Sequence, residues 1–104
     1  MSVQDVIKDQ VTRNRIVLYM KGSPDAPMCG FSANVVNVLR ACGVGEMFSV
    51  NVLENPDIRQ GIKEYANWPT IPQLYVNGEF VGGSDIMMEM YQAGELQQEL
   101  AKVK

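Results

Sequence analysis

Apolar residues recur along this chain at helical spacing, then as an unbroken run, then in alternation, and that order predicts its elements. Val3, Val6, Ile7 and Val11 fall on one face of a helix that Ser2 can cap and Asn14 closes. Ile16-Val17-Leu18-Tyr19-Met20 follows without a polar break, the signature of a strand buried on both faces. After a loop from Gly22 to Met28, a second helix aligns Phe31, Val35, Val38, Leu39 and Cys42 on one stripe, and Gly43 stops it. Phe48, Val50 and Val52 alternate with Ser49 and Asn51, so a second strand returns beside the first in a βαβ unit. Asn55 and Pro56 read as a cap and a first helical position, opening a third helix that runs through Tyr65.

The second half changes character. Gln73 to Val76 and Glu79 to Val81 are short strands joined by Asn77-Gly78, a two-residue hairpin signal. Ser84-Asp85 then caps a helix bearing Ile86, Met87, Met90 and Tyr91, and Gly94 separates it from a last one carrying Leu96, Leu100 and Val103. A parallel βαβ half followed by an antiparallel ββα half is the α/β, thioredoxin-like arrangement: a four-stranded mixed sheet flanked by about five helices. No linker, repeat or low-complexity segment interrupts it, and residues 1–104 read as one domain.

Composition narrows the function classes. Hydrophobic residues make up 46% of the 104, enough for a core without covalent staples. A net charge of -3, with no cluster of Lys or Arg, argues against nucleic acid and anionic membrane as partners. Two cysteines do not make a disulfide framework, which suits a reducing compartment. The amphipathic, mixed-charge stretch from Ser2 to Asn14 resembles neither a secretory signal nor a membrane span. A cytoplasmic protein, or the mature form of an organellar one, is the expectation.

The chemistry centres on Cys29, in the run Pro27-Met28-Cys29-Gly30-Phe31-Ser32 between a strand and a helix. In a Cys-x-x-Cys turn the second thiol resolves what the first attacks; here that position holds Ser32. The thiolate must therefore find its partner in a small free thiol, another copy of the chain, or a metal. The helix start and nearby Lys21 should draw its pKa below the free value of about 8.5. Cys42 lies thirteen residues further along, about 20 Å on a helix, where a disulfide spans about 4.4 to 6.8 Å. It reads as core packing. Lys21 and Arg59 are either ordinary solvated charges or clamps for a carboxylate, and Ser84-Asp85 is either a plain cap or the rim of a ligand site.

Five stretches in this order resemble a known family: Lys21-Gly22-Ser23-Pro24, Cys29-Gly30-Phe31-Ser32, Asn55-Pro56-Asp57-Ile58-Arg59, Trp68-Pro69-Thr70-Ile71-Pro72-Gln73 and Gly82-Gly83-Ser84-Asp85. The chain is similar to the monothiol glutaredoxins of the Cys-Gly-Phe-Ser type, in their single-domain form. That resemblance implies glutathione binding and a [2Fe-2S] cluster held between two chains, with Cys29 as nucleophile and metal ligand, for delivery to apo iron-sulfur proteins and for iron homeostasis. It also implies mixed complexes with BolA-like proteins. It turns Lys21 and Arg59 toward the glycine carboxylate of glutathione, makes the Ile71-Pro72 bond cis, and lets the backbone between Thr70 and Pro72 pair with the cysteine unit. It assigns the γ-glutamyl carboxylate to the helix start at Gly83 and Ser84, and the amine to Asp85. Trp68 and Pro69 read as scaffold, with Trp68 at the border of the site. Many relatives carry a cysteine where this chain has Ser84. The competing activity is glutathione-dependent thiol-disulfide exchange, that is, deglutathionylation through Cys29.

Overall fold

A computed structural model describes residues 1–103. In chain order the elements are α1 (Val3–Arg13), β1 (Ile16–Met20), β2 (Gly22–Ser23), β3 (Ala26–Pro27), α2 (Gly30–Ala41), β4 (Phe48–Asn51), α3 (Pro56–Ala66), β5 (Gln73–Val76), β6 (Glu79–Gly82), α4 (Ser84–Gln92) and α5 (Glu95–Ala101). The main sheet has the order β4-β1-β5-β6. β1 runs parallel to β4 with Val17 beside Phe48, and antiparallel to β5 with Tyr19 opposite Gln73. β5 pairs antiparallel with β6 across Asn77-Gly78, whose φ values of 52° and 82° match the expected turn.

Alternation along the central strands divides the core in two. Leu18, Met20, Leu74 and Val76 pack under the buried faces of α2, α4 and α5. Val17, Tyr19 and Tyr75 point to the opposite side, where α1 and α3 contribute Ile7, Val11 and Ile62. Since both faces are covered, β1 is apolar at every position, as its unbroken run predicted. Cys42 lies in the first of these clusters, in the packing role expected of it.

Ser2 accepts from the Asp5 N–H while Asp5 accepts from the Ser2 N–H, a reciprocal capping box at the start of α1. Four other local expectations are corrected. Phe31 does not join the α2 stripe: it is 61% exposed, and the buried position of that turn is Ser32. Asn55 stands at the N-cap of α3, but its side chain does not cap; its amide donates to the Asn51 carbonyl at 2.9 Å. The N-cap of α4 is Gly83 rather than Ser84-Asp85, and Ser84 is already helical. The loop from Gly22 to Met28 contains a small ladder, β2 against β3. Gly22 adopts φ +88°, and a Cβ there would fall 2.5 Å from the Ala26 carbonyl oxygen and 2.7 Å from the Met28 nitrogen, so the tight return that delivers Cys29 requires glycine.

Candidate functional site

The site lies where the carboxyl end of β1, the start of α2, the bend before β5 and the start of α4 converge. β1 ends at Met20, and Lys21 follows it into the β2–β3 ladder. The Lys21 N–H donates to Ser32 Oγ at 3.1 Å and the Gly22 N–H to Asn51 Oδ1 at 3.0 Å. The ladder closes with the Met28 N–H donating to the Lys21 carbonyl at 2.9 Å. These bonds fix where the chain turns back, and thereby where Cys29 sits as the N-cap of α2.

Cys29 is half-buried. Its thiol closes no capping hydrogen bond, so the open N–H groups at the helix start act on it as oriented dipoles. The Ser32 backbone N–H is the largest influence drawing the thiol pKa down; partial desolvation opposes it, and the Phe31 N–H, the Lys21 ammonium and the Ser32 hydroxyl add to the lowering. The thiolate is favoured below the usual thiol range, as a nucleophile or a soft-metal ligand requires.

A cleft of about 370 Å³ opens beside the thiol. It is lined by every residue the sequence proposed: Lys21 and Cys29 on one side, Arg59 from α3, Thr70, Ile71 and Pro72 from the bend, and Gly83, Ser84 and Asp85 from the start of α4. The Ile71-Pro72 bond is cis, as the resemblance implied. Pro69 and Trp68 also line the cleft, so the bend is a wall of the site as well as scaffold. Trp68 stacks toward Phe80 with ring centroids 5.8 Å apart, and its Nε1 is buried without a hydrogen-bond partner. Gly83 sits against that indole: a Cβ there would lie 2.9 Å from Trp68 Nε1.

Two further residues join the lining that the sequence reading had not assigned to it. Lys63 stands one helical turn beyond Arg59 on α3, and that i, i+4 spacing was the available signal. The apolar stripe of α2 predicts a core position for Phe31, whereas its exposed ring lines the cleft beside Cys29. Lys21, Arg59 and Lys63 form no ion pair with any described residue, and Asp85 is the one acid among the lining residues. Three cations and one carboxylate around an apolar-walled cleft suit an extended ligand bearing carboxylates at its ends and one amine.

Among the described residues no group of three or more His, Cys, Asp or Glu could hold a metal ion. No helix is long and apolar enough to cross a membrane.

Residues 16–81 match the family described as Glutaredoxin. The chain is 61% identical over 93 residues to Glutaredoxin 4 of Escherichia coli, covering 88% of this chain and 79% of that protein. It is 52% identical over 100 residues to the mitochondrial Glutaredoxin-related protein 5 of Danio rerio, covering 96% of this chain and 64% of that protein. The solution structure of reduced poplar apo GrxS14 superposes with a TM-score of 0.83 at 49% identity, covering 96% of this chain and 91% of that one. With these likenesses, and with Ser32 standing where a second active-site thiol would be, the chain belongs to the glutaredoxin family, on its monothiol side.

Proposed function

We propose that this glutaredoxin binds glutathione in the Cys29 cleft and carries a [2Fe-2S] cluster, as cargo, between two copies of itself. The observation that carries the reading is the conjunction of one half-buried thiol of lowered pKa with a cleft holding three unpaired cations. Lys21 and Arg59, joined by Lys63, would take the glycine carboxylate of glutathione, the α4 start the γ-glutamyl carboxylate, and Asp85 the amine. The tripeptide's thiol then lies near Cys29.

A [2Fe-2S] cluster takes four ligands, usually thiolates. One chain offers Cys29 and one bound glutathione, so two chains complete the set. Because half of those ligands are exchangeable small molecules, the cluster is labile and suited to transfer to apo iron-sulfur proteins, and a BolA-like partner would replace one copy. A reducing compartment such as the cytoplasm fits these thiols.

Anaerobic reconstitution with iron, sulfide and glutathione tests this, read by visible absorption and by sedimentation. The apo chain should sediment as a monomer and the loaded form as a dimer; an unchanged monomer mass on loading sinks the model.

The lowered thiol pKa also favours a second reading, deglutathionylation. The Cys29 thiolate attacks the glutathione sulfur of a mixed disulfide, forming a Cys29–glutathione disulfide and releasing the substrate thiolate. A second glutathione thiolate then attacks that adduct, giving glutathione disulfide and restoring Cys29. Ser32 cannot resolve the adduct, and the loop from Gly22 to Met28 that leads into Cys29 would crowd the approach of the second glutathione. This activity is expected to be weak.

A further inference from the structure

Gln73 opens β5, a central strand, and its side chain is fully buried. An amide in that position is costly unless its polar atoms are matched. Nε2 donates to two main-chain carbonyls of one bend, Trp68 at 3.1 Å and Thr70 at 3.2 Å, and Oε1 accepts from the Tyr75 hydroxyl at 3.1 Å. Of the uncharged side chains of this length, only glutamine offers two N–H bonds on one nitrogen and an acceptor beside it. Methionine offers neither, and an ionised glutamate would set an acceptor against two acceptors.

The bend so held carries Trp68, Pro69 and Thr70 into the cleft wall, whereas Gln73 does not line the cleft. Its other tether is the Trp68 N–H, which donates to the Lys63 carbonyl at 2.9 Å and ties the bend to the end of α3. Tyr75, which orients the amide, is itself fixed among the rings of Tyr19, Tyr65 and Phe80 at centroid distances of 5.7, 6.0 and 5.4 Å.

We propose that Gln73 is a positioning residue for ligand binding: it holds both carbonyls of the Trp68–Thr70 bend inward, so that this wall of the cleft is preformed for a glutathione-type peptide. The inference rests on the glutathione reading, and it concerns a residue that touches neither ligand nor thiol. Preforming a wall removes an ordering cost from binding.

The test compares Gln73→Glu and Gln73→Met with the wild-type chain by calorimetric titration of glutathione, urea unfolding, acrylamide quenching of Trp68, and alkylation of Cys29 by iodoacetamide. Losing two hydrogen bonds that shape the wall should weaken glutathione binding about tenfold, and Trp68 should become more readily quenched. Alkylation of Cys29 by that small neutral reagent should be unchanged. A lower urea midpoint with wild-type glutathione affinity and wild-type quenching in the folded chain overturns the proposal. Should neither Gln73 variant fold, Tyr75→Phe decides: it keeps the ring and removes only the hydroxyl that orients the amide, so affinity should fall about threefold, and an unchanged affinity and quenching overturn the idea. Failure of the wild-type chain to bind glutathione refutes the functional reading instead, and Trp68 quenching in the variants then still decides whether Gln73 holds the bend.

Discussion

The main-chain N–H of Lys21 donates to the buried hydroxyl of Ser32 at 3.1 Å. One bond thus ties the residue just beyond β1 to the first turn of α2, with Cys29 between them in the chain. Ser32 is therefore more than the absence of a resolving thiol: its backbone N–H and hydroxyl both lower the pKa of Cys29 while its oxygen holds Lys21 in place. Replacing it by alanine leaves the Lys21 N–H without that acceptor, at a cost of about 1 to 3 kcal/mol. A urea unfolding midpoint equal to that of the wild-type chain would show the bond to be dispensable.

The thiol pKa sets a pH dependence with a definite sign. The pKa of Cys29 in the folded chain is lowered, so the midpoint of its alkylation rate against pH should lie below that of a small free thiol. The thiolate contributes stability that is present above the unfolded-state pKa and is lost as pH falls through the folded one. Lys21→Met and Ser32→Ala should each move the alkylation midpoint upward. A midpoint at the free-thiol value in the wild-type chain would contradict the electrostatic account of the helix start.

The two cysteines should separate cleanly. Cys29→Ser is expected to abolish cluster assembly, whereas Cys42→Ser, in the core cluster beneath α2, should leave cluster content per chain near the wild-type level. Comparable losses in both variants, with both folded by circular dichroism, would mean that Cys42 has a role its packing does not reveal.

Charge reversal tests the anion clamp without touching a thiol. Arg59→Glu or Lys63→Glu should weaken glutathione binding by tenfold or more, about 1.4 kcal/mol or above, while Lys8→Glu on the exposed face of α1 serves as the control. In the loaded protein the same variants should lose cluster faster. Rapid desalting of the wild-type dimer into buffer lacking glutathione should hasten decay as well; equal decay with and without glutathione, and no glutathione co-purifying, would rule out glutathione as a cluster ligand.

Gly83→Ala places a methyl group 2.9 Å from Trp68 Nε1. Either the indole or the start of α4 must then shift, and both border the cleft. We expect a changed Trp68 emission and several-fold weaker glutathione binding; wild-type values for both would show that the contact relaxes without cost.

Much of this protein was determined by local pattern. The run from Ile16 to Met20, the Asn77-Gly78 turn, the Ser2 cap and the stripes of α2 and α4 are short-range signals, because backbone conformation and facing follow from side chains a few residues apart. The family resemblance also assigned nine positions between Lys21 and Asp85 to a site, and all nine line one cleft. Other features depended on groups distant in sequence. Phe31 left the core because the site end of α2 opens onto the cleft rather than the sheet, and Ser32 was buried because Lys21, eleven residues away, needed an acceptor. Asn55 gave up its cap to bond the Asn51 carbonyl, and Gly83 took the α4 cap because the Trp68 indole leaves no room for a side chain. Lys63 reached the cleft because α3 brings its Arg59 face there, and Gln73 acquired its partners only when the bend folded over β5. Hydrogen bonds and contacts of this kind have no sequence period, and only the tertiary structure brings their partners together.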